Sequence, residues 1–396
     1  MAVRIKSVHA VEIIDSNGRP ALDVRLSLVG GAAGQACVPF GACCPVEQAT
    51  ALESAALELV GASFEGLADI DGALRKLAED GIRPRPSQHV LRGVSIAAAR
   101  AMANRQEQPL WRFLALPGAG QRLPVPQFTV VNGGHRAGTE LDFEQFMIAP
   151  VGAPSMRAAV HTGVELLGRL RAVLAGYSLD TRVGADGGFA PQIAWPERVL
   201  ELITQTISDA GYALGPDGVT LALRVAASGF RYGDGYQVGG EWHSTAEMID
   251  RYEQMVDVFP LSSIEDALAQ DDWDGWAELT RRLGDRVQLV GGDVFATDPE
   301  LIATAVARRV ANAAVIKTAH FSTITEALEA MRACRDAGYA QVVAHRGETS
   351  DAFAADLAVA AGCGRLRAGA PTQGERVANY NRLIEIEADD CLAYRG

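Results

Sequence analysis

Six charged residues occupy one kind of position along the chain: each closes, or directly follows, a short apolar run. Arg224 ends "TLALR", Glu265 ends "LSSIE", Asp293 follows "VQLVGG", Lys317 ends "AAVIK", His345 follows "AQVVA" and Arg367 lies in "RLRAGA". A charge at the end of a buried strand is costly unless partners compensate it. Charges at successive strand ends therefore argue for one shared polar site. The residue types suit acid–base chemistry on an anion: a lysine and an imidazole to move protons, carboxylates, and arginines whose forked donors match carboxylate and phosphate oxygens. Lys317 is notable because, of 36 basic residues, only Lys6, Lys76 and Lys317 are lysines.

The elements that must hold these residues follow from periodicity. The first part alternates like an antiparallel sheet, "RIKSVHAVEIID", a turn at "SNGRP", then "ALDVRLSLV" and "GQACVPF". Helical patterns at about 46–60, 66–79 and 88–104 complete a small α+β unit over 1–122. From 123 to 396 short apolar strands alternate with amphipathic helices, as in "NAAVIKTA" then "ITEALEAMRACRDAG". That alternation predicts a parallel sheet with right-handed crossovers, closing into an α/β barrel whose chemistry lies at the C-terminal ends of its strands.

Composition excludes several classes. The formal charge is −13 and no basic tract occurs, which argues against nucleic-acid or anionic-membrane partners. No apolar run reaches membrane-spanning length and "MAVRIKSVHAVEIID" lacks a secretory core, so a cytoplasmic location is expected. The cysteines at 37, 43, 44, 334, 363 and 391 have no paired C-x-x-C spacing and read as reduced thiols.

Several strings together carry a family signature: "SIEDALAQDDWDGW", "VVAHRGETSDAFAADL", "GADGGFAP", "VNGGHRAG", "FMIAPVGA", "RAGAP" and "ERVANYNRLIEIE". Taken in their order along the chain, they resemble enolase, from about residue 9 to residue 387. The resemblance implies an N-terminal α+β capping domain on a modified β/α barrel, usually as a homodimer. It also implies magnesium and a lysine base that removes the proton alpha to a carboxylate. On that pattern Lys317 matches the lysine base, His345 the active-site histidine, Arg346 the phosphate-binding arginine, and Glu265 a metal-binding carboxylate.

Other positions depart from the pattern. Arg224 stands where the family has a metal-binding aspartate, and Gly292 replaces another, beside a retained Asp293. Cys43 replaces the mobile-loop serine, and Arg136 replaces a loop histidine. Asp186 replaces the glutamate that assists elimination, Gln145 replaces a second catalytic glutamate, and Arg367 replaces a substrate-binding lysine. The loop after Arg346 is one residue shorter and lacks its serine. By strand alternation Glu144, beside Gln145, is expected on the opposite face.

One retained carboxylate next to a guanidinium is a poor magnesium site. Arg224 is therefore expected to pair with Glu265, and no metal ligand is expected beyond that inherited Glu265 position. The substitutions return about as much positive charge as two magnesium ions would take away. That balance predicts a small anionic substrate held by Arg136, Arg224, Arg346, Arg367, Gln145 and Asp293, with proton transfer by Lys317, His345 and Asp186. The reading is a metal-independent enolase-like lyase of specialised metabolism. Its alternatives are a non-catalytic ligand- or partner-binding homologue and, behind that, a magnesium-dependent 2-phosphoglycerate dehydratase.

Overall fold

The computed structural model describes residues 2–39, 45–79, 86–345, 347, 349–390 and 392–394. The chain begins with an antiparallel meander of β1 (Val3–Ile14), β2 (Pro20–Leu28) and β3 (Ala33–Pro39). Next come α1 (Pro45–Leu59), β4 (Ser63–Phe64), α2 (Leu67–Glu79), α3 (Gln88–Arg105) and α4 (Leu110–Phe113). The sheet order is β3-β2-β1-β4. The buried helix α3 lies against β2 and β3 at very short range, and small residues permit this. A Cβ at Gly34 would sit 2.1 Å from the Ala97 carbonyl oxygen, and one at Gly93 would sit 2.8 Å from Val24.

Eight strands form a closed barrel: β5 (Val125–Asn132), β6 (Gln145–Ala149), β7 (Thr220–Arg224), and, after an intervening sheet, β11 (Leu261–Glu265), β12 (Gln288–Gly291), β13 (Ala313–Lys317), β14 (Ala340–Ala344) and β15 (Arg365–Gly369). The intervening sheet is β8 (Arg231–Tyr232), β9 (Gly235–Val238) and β10 (Glu241–His243). Its short strands carried no alternation signal in the sequence. The outer helices are α5 (Met156–Gly176), α6 (Pro196–Asp209), α7 (Thr245–Val258), α8 (Trp273–Leu283), α9 (Pro299–Arg308), α10 (Ile324–Asp336), α11 (Phe353–Ala360) and α12 (Gly374–Asp390).

The barrel differs from an all-parallel expectation at one strand: β6 runs antiparallel to both β5 and β7. A parallel return needs a crossover element, whereas β5 and β6 are joined by a loop containing a single 3₁₀ turn at His135–Ala137. This reversal has a functional result. It brings the first residue of β6 to the rim where the other strands end, so the register runs Asn132, Gln145, Arg224, Glu265 across four adjacent strands.

The cap is fastened to the same end of the barrel. Arg100 of α3 makes a two-pronged bond to Asp351 at 2.8 and 2.7 Å, and Asp351 also accepts from the Cys37 amide at 2.9 Å. Arg92, nearly fully buried, donates to the carbonyls of Ala319 and Phe321 just beyond β13. Thr325 at the start of α10 bonds the buried Asp71 of α2 through both its amide and its hydroxyl. Among the described residues no helix is long and apolar enough to cross a membrane.

Candidate active site

The rim encloses a cavity of about 110 Å³ whose lining includes Asn132, Gln145, Asp186, Arg224, Lys317, His345, Arg367 and Arg376. Strand ends explain most of this convergence. Lys317 and Arg224 are the last residues of β13 and β7, His345 follows β14, and Arg367 lies two residues before the end of β15. Asp186 reaches the site from the loop between α5 and α6, where Gly187 (φ 85°) turns the chain and the Asp186 carbonyl accepts from the Ala370 amide at 2.7 Å.

At one end a carboxylate is shared by two guanidiniums. Glu265, 3% exposed, accepts from Arg367 at 2.7 and 3.0 Å through its two oxygens and from Arg224 Nε at 3.1 Å. Arg224 also pairs with Glu144. That contact corrects the expectation for Glu144: β6 starts only at Gln145, so strand alternation does not govern its neighbour, and Glu144 lines the cavity. The tight loop reinforces its position, since a Cβ at Gly134 (φ 73°) would lie 2.9 Å from Glu144 Cγ.

The residues at this end do not fit a magnesium ion. Both Glu265 oxygens are engaged by guanidinium groups, and Gly292 supplies no side chain. A Cβ at Gly292 would also stand 2.6 and 2.9 Å from the two oxygens of Asp266, so that carboxylate fills the space where a ligand would project. Asp266 (φ 50°) accepts the amides of Gly292 and Asp293 at 2.8 Å each through Oδ1, while its buried Oδ2 has no hydrogen-bond partner. Burial and then the Glu265 charge push its carboxyl up to about 6. A hard dication needs several free oxygen ligands and no cation in contact with them.

At the other end the contacts run in a hydrogen-bonded chain. Arg367 NH1 donates to Gln145 Oε1 at 3.3 Å, and Gln145 Nε2 donates to Asp186 Oδ2. Asn132 Nδ2 also points to Oδ2 at 3.4 Å, and Arg376 NH2 stands 3.7 Å from Oδ1. Across the cavity Lys317, 2% exposed, forms an ion pair with Asp293. Burial would raise the Asp293 carboxyl, but the Lys317 ammonium outweighs it and holds it below the usual range. His345 gives its Nε2 hydrogen to the Gly347 carbonyl at 3.0 Å. Burial and then the Arg376 charge push this imidazole down to about 4, so it is neutral near pH 7.

The sequence-named residues Lys317, His345, Asp186, Gln145, Arg224 and Arg367 thus share one cavity, with Asp293 behind Lys317 and Glu265 beneath the two arginines. Arg136 contributes backbone to the 3₁₀ turn, while its side chain, Arg346, Cys43 and Cys44 lie outside the described residues. Four contributors were missed. Arg376 lies on the first turn of α12, a helix whose pattern gives no hint of a site. Asn132 reads as an ordinary end of a strand. Asp266 and Glu144 looked like neighbours of the functional residues. Two residues after Arg224, the non-glycine Ala226 holds a positive φ of 55°, a strained rim position that only backbone angles reveal.

A closed β/α barrel with one reversed strand and an α+β cap at its mouth, carrying a lysine, a histidine and carboxylates at the strand ends, is a barrel of the enolase type. The family model for "Enolase, C-terminal TIM barrel domain" matches residues 120–395. The chain belongs to the enolase family.

Proposed function

We propose that this enolase homologue is a metal-independent lyase, moving protons next to the carboxylate of a small phosphorylated, phosphonylated or polycarboxylic acid. The observation that carries the reading is the Arg224–Glu265–Arg367 cluster, in which two guanidiniums stand where a dication would otherwise supply positive charge. Guanidinium donors aimed at an enediolate oxygen stabilise developing charge as a fixed electrostatic environment does. Lys317 is the proton-carrying amine, His345 a neutral hydrogen-bonding group, and Asp186 the carboxylate that completes the acid–base set. Arg346 and Arg136 are proposed to hold the ligand's second anionic group. A cavity of about 110 Å³ with a polar lining favours acids of a few carbons. A homodimer of cytoplasmic location in specialised metabolism is the setting we propose for it.

The test is turnover of a panel of such acids followed by NMR, with magnesium and then with a chelator. Elimination that survives the chelator and is lost in Lys317→Ala supports the proposal. Turnover of 2-phosphoglycerate that requires magnesium contradicts it, and a panel bound without turnover favours a ligand-binding role, for which the self-neutralised Arg224–Glu265–Arg367 cluster is the supporting feature.

A further inference from the structure

We infer that Glu144 is an internal stand-in for the ligand's carboxylate: it occupies the outward edge of the Arg224 guanidinium, and a small dicarboxylic or related acid enters by taking that edge from it. The inference rests on the acid-binding reading above and adds to it the residue that competes with the ligand.

The backbone delivers Glu144 to this place. It stands one residue before β6, and its carbonyl accepts the Gly133 amide at 2.9 Å across the β5–β6 loop. A Cβ at Gly133 would lie 2.3 Å from the Phe143 carbonyl oxygen, so the two arms of the loop approach at a distance that leaves room only for glycine. The Glu144 side chain thereby lines the cavity beside Arg224, the last residue of β7.

Arg224 has two carboxylate partners of unequal hold. Inward, its Nε donates to Glu265, whose side chain is 4% exposed and whose oxygens also accept from Arg367. Outward, its Nη1 pairs with Glu144, whose side chain is 28% exposed. The inward contact belongs to a buried cluster, where removing one partner strands a charge. The outward contact is open to water, where an ion pair holds weakly, and the Glu144 carboxylate can turn into solvent.

The Nη edge of a guanidinium matches the two oxygens of a carboxylate. An acid in the cavity can therefore take this edge while Nε stays on Glu265, and Arg224 has two carboxylate partners before and after the exchange. No proton moves and no covalent bond changes. The apparent affinity for the acid is lowered by the fraction of molecules in which Glu144 holds the edge.

The test is isothermal titration at pH 7 with malonate, which carries two carboxylates and no hydroxyl to eliminate, so binding is read apart from turnover. It uses the full chain as wild type, Glu144→Gln, Arg224→Gln and the double variant, each checked for folding by its thermal transition. Glu144→Gln is expected to tighten malonate about fivefold, the worth of one exposed ion pair. Arg224→Gln is expected to weaken it about tenfold or more, and in that background Glu144→Gln should gain less than about twofold. Binding measurable only in Glu144→Gln also upholds the exchange. Unchanged or weaker binding in Glu144→Gln, an undiminished gain without Arg224, or no binding by any variant overturns it. Should Arg224→Gln not fold, Glu144→Asp replaces it, because it keeps the charge and shortens the reach: a gain of about twofold upholds the contact and none overturns it. Each of these failures leaves the lyase proposal to its own test, turnover that depends on Lys317.

Discussion

The two ends of the mouth are built from the same residue types but used differently. At the Glu265 end, one buried carboxylate holds two guanidiniums and a third charge pair, Arg224–Glu144, closes the rim. At the Asp186–Lys317 end, the Gln145 amide orients one carboxylate and Lys317 pairs with Asp293. The first end is a rigid electrostatic cluster, in which every charge depends on its neighbour. The second is held by fewer shared contacts, one ion pair and one amide hydrogen bond. On the proposed reading, loss of metal ligands and retention of proton-transfer residues are compatible within one cavity, because they fall on different strand ends.

The comparison breaks most visibly through Glu265→Gln. Removing this charge leaves Arg224 and Arg367 in contact without their shared partner, and breaking a buried pair costs about 3–5 kcal/mol. Denaturant unfolding is expected to show a loss of this size, while Lys317→Met, whose partner Asp293 has a side chain 34% exposed and open to water, is expected to cost less. Equal losses in the two variants would erase the distinction between a structural and a chemical end.

A second way to sharpen it is pH. His345 and His89 both have pKa values of about 4, lowered by burial and then by Arg376 and Arg92 respectively. A histidine depressed in the folded state contributes stability that is fully present above the unfolded value of about 6.5. That contribution is lost as pH falls through the folded value near 4. Each is expected to contribute about 1–3 kcal/mol to the decline between those limits. Urea midpoints measured across pH 4 to 7 should fall with acid, and His345→Gln should flatten part of that slope. Asp266, raised to about 6, acts in the opposite sense: its contribution is present below the unfolded carboxylate range and is lost as pH rises through 6.

A further structural effect is expected at Gly292. Gly292→Asp returns the carboxyl that the family pattern has there, but its Cβ meets Asp266 at 2.6 Å. Overpacking of this kind costs about 1–3 kcal/mol. The single variant should lose stability without gaining magnesium affinity, as thermal transitions with and without the ion would show.

Much of this architecture was legible in the chain because strand–helix alternation and strand-end charges are local signals. Arg224 could be matched to Glu265 since both close adjacent strands, and the register pairs them directly. The reversed β6 was not legible from alternation alone, because direction is set by the absence of a helix between β5 and β6 rather than by any residue of the strand. Glu144 was misplaced for the same reason: its face depends on where the strand begins. Arg376 and Asn132 enter the site through long-range packing, which no spacing in the sequence encodes.

The central claim is that guanidinium groups have taken over the metal's place. Isothermal titration with magnesium tests it most directly, on the wild-type chain and on Arg224→Asp combined with Gly292→Asp. The account predicts no saturable heat at millimolar magnesium for the wild type. Stoichiometric micromolar binding by the wild type would contradict it.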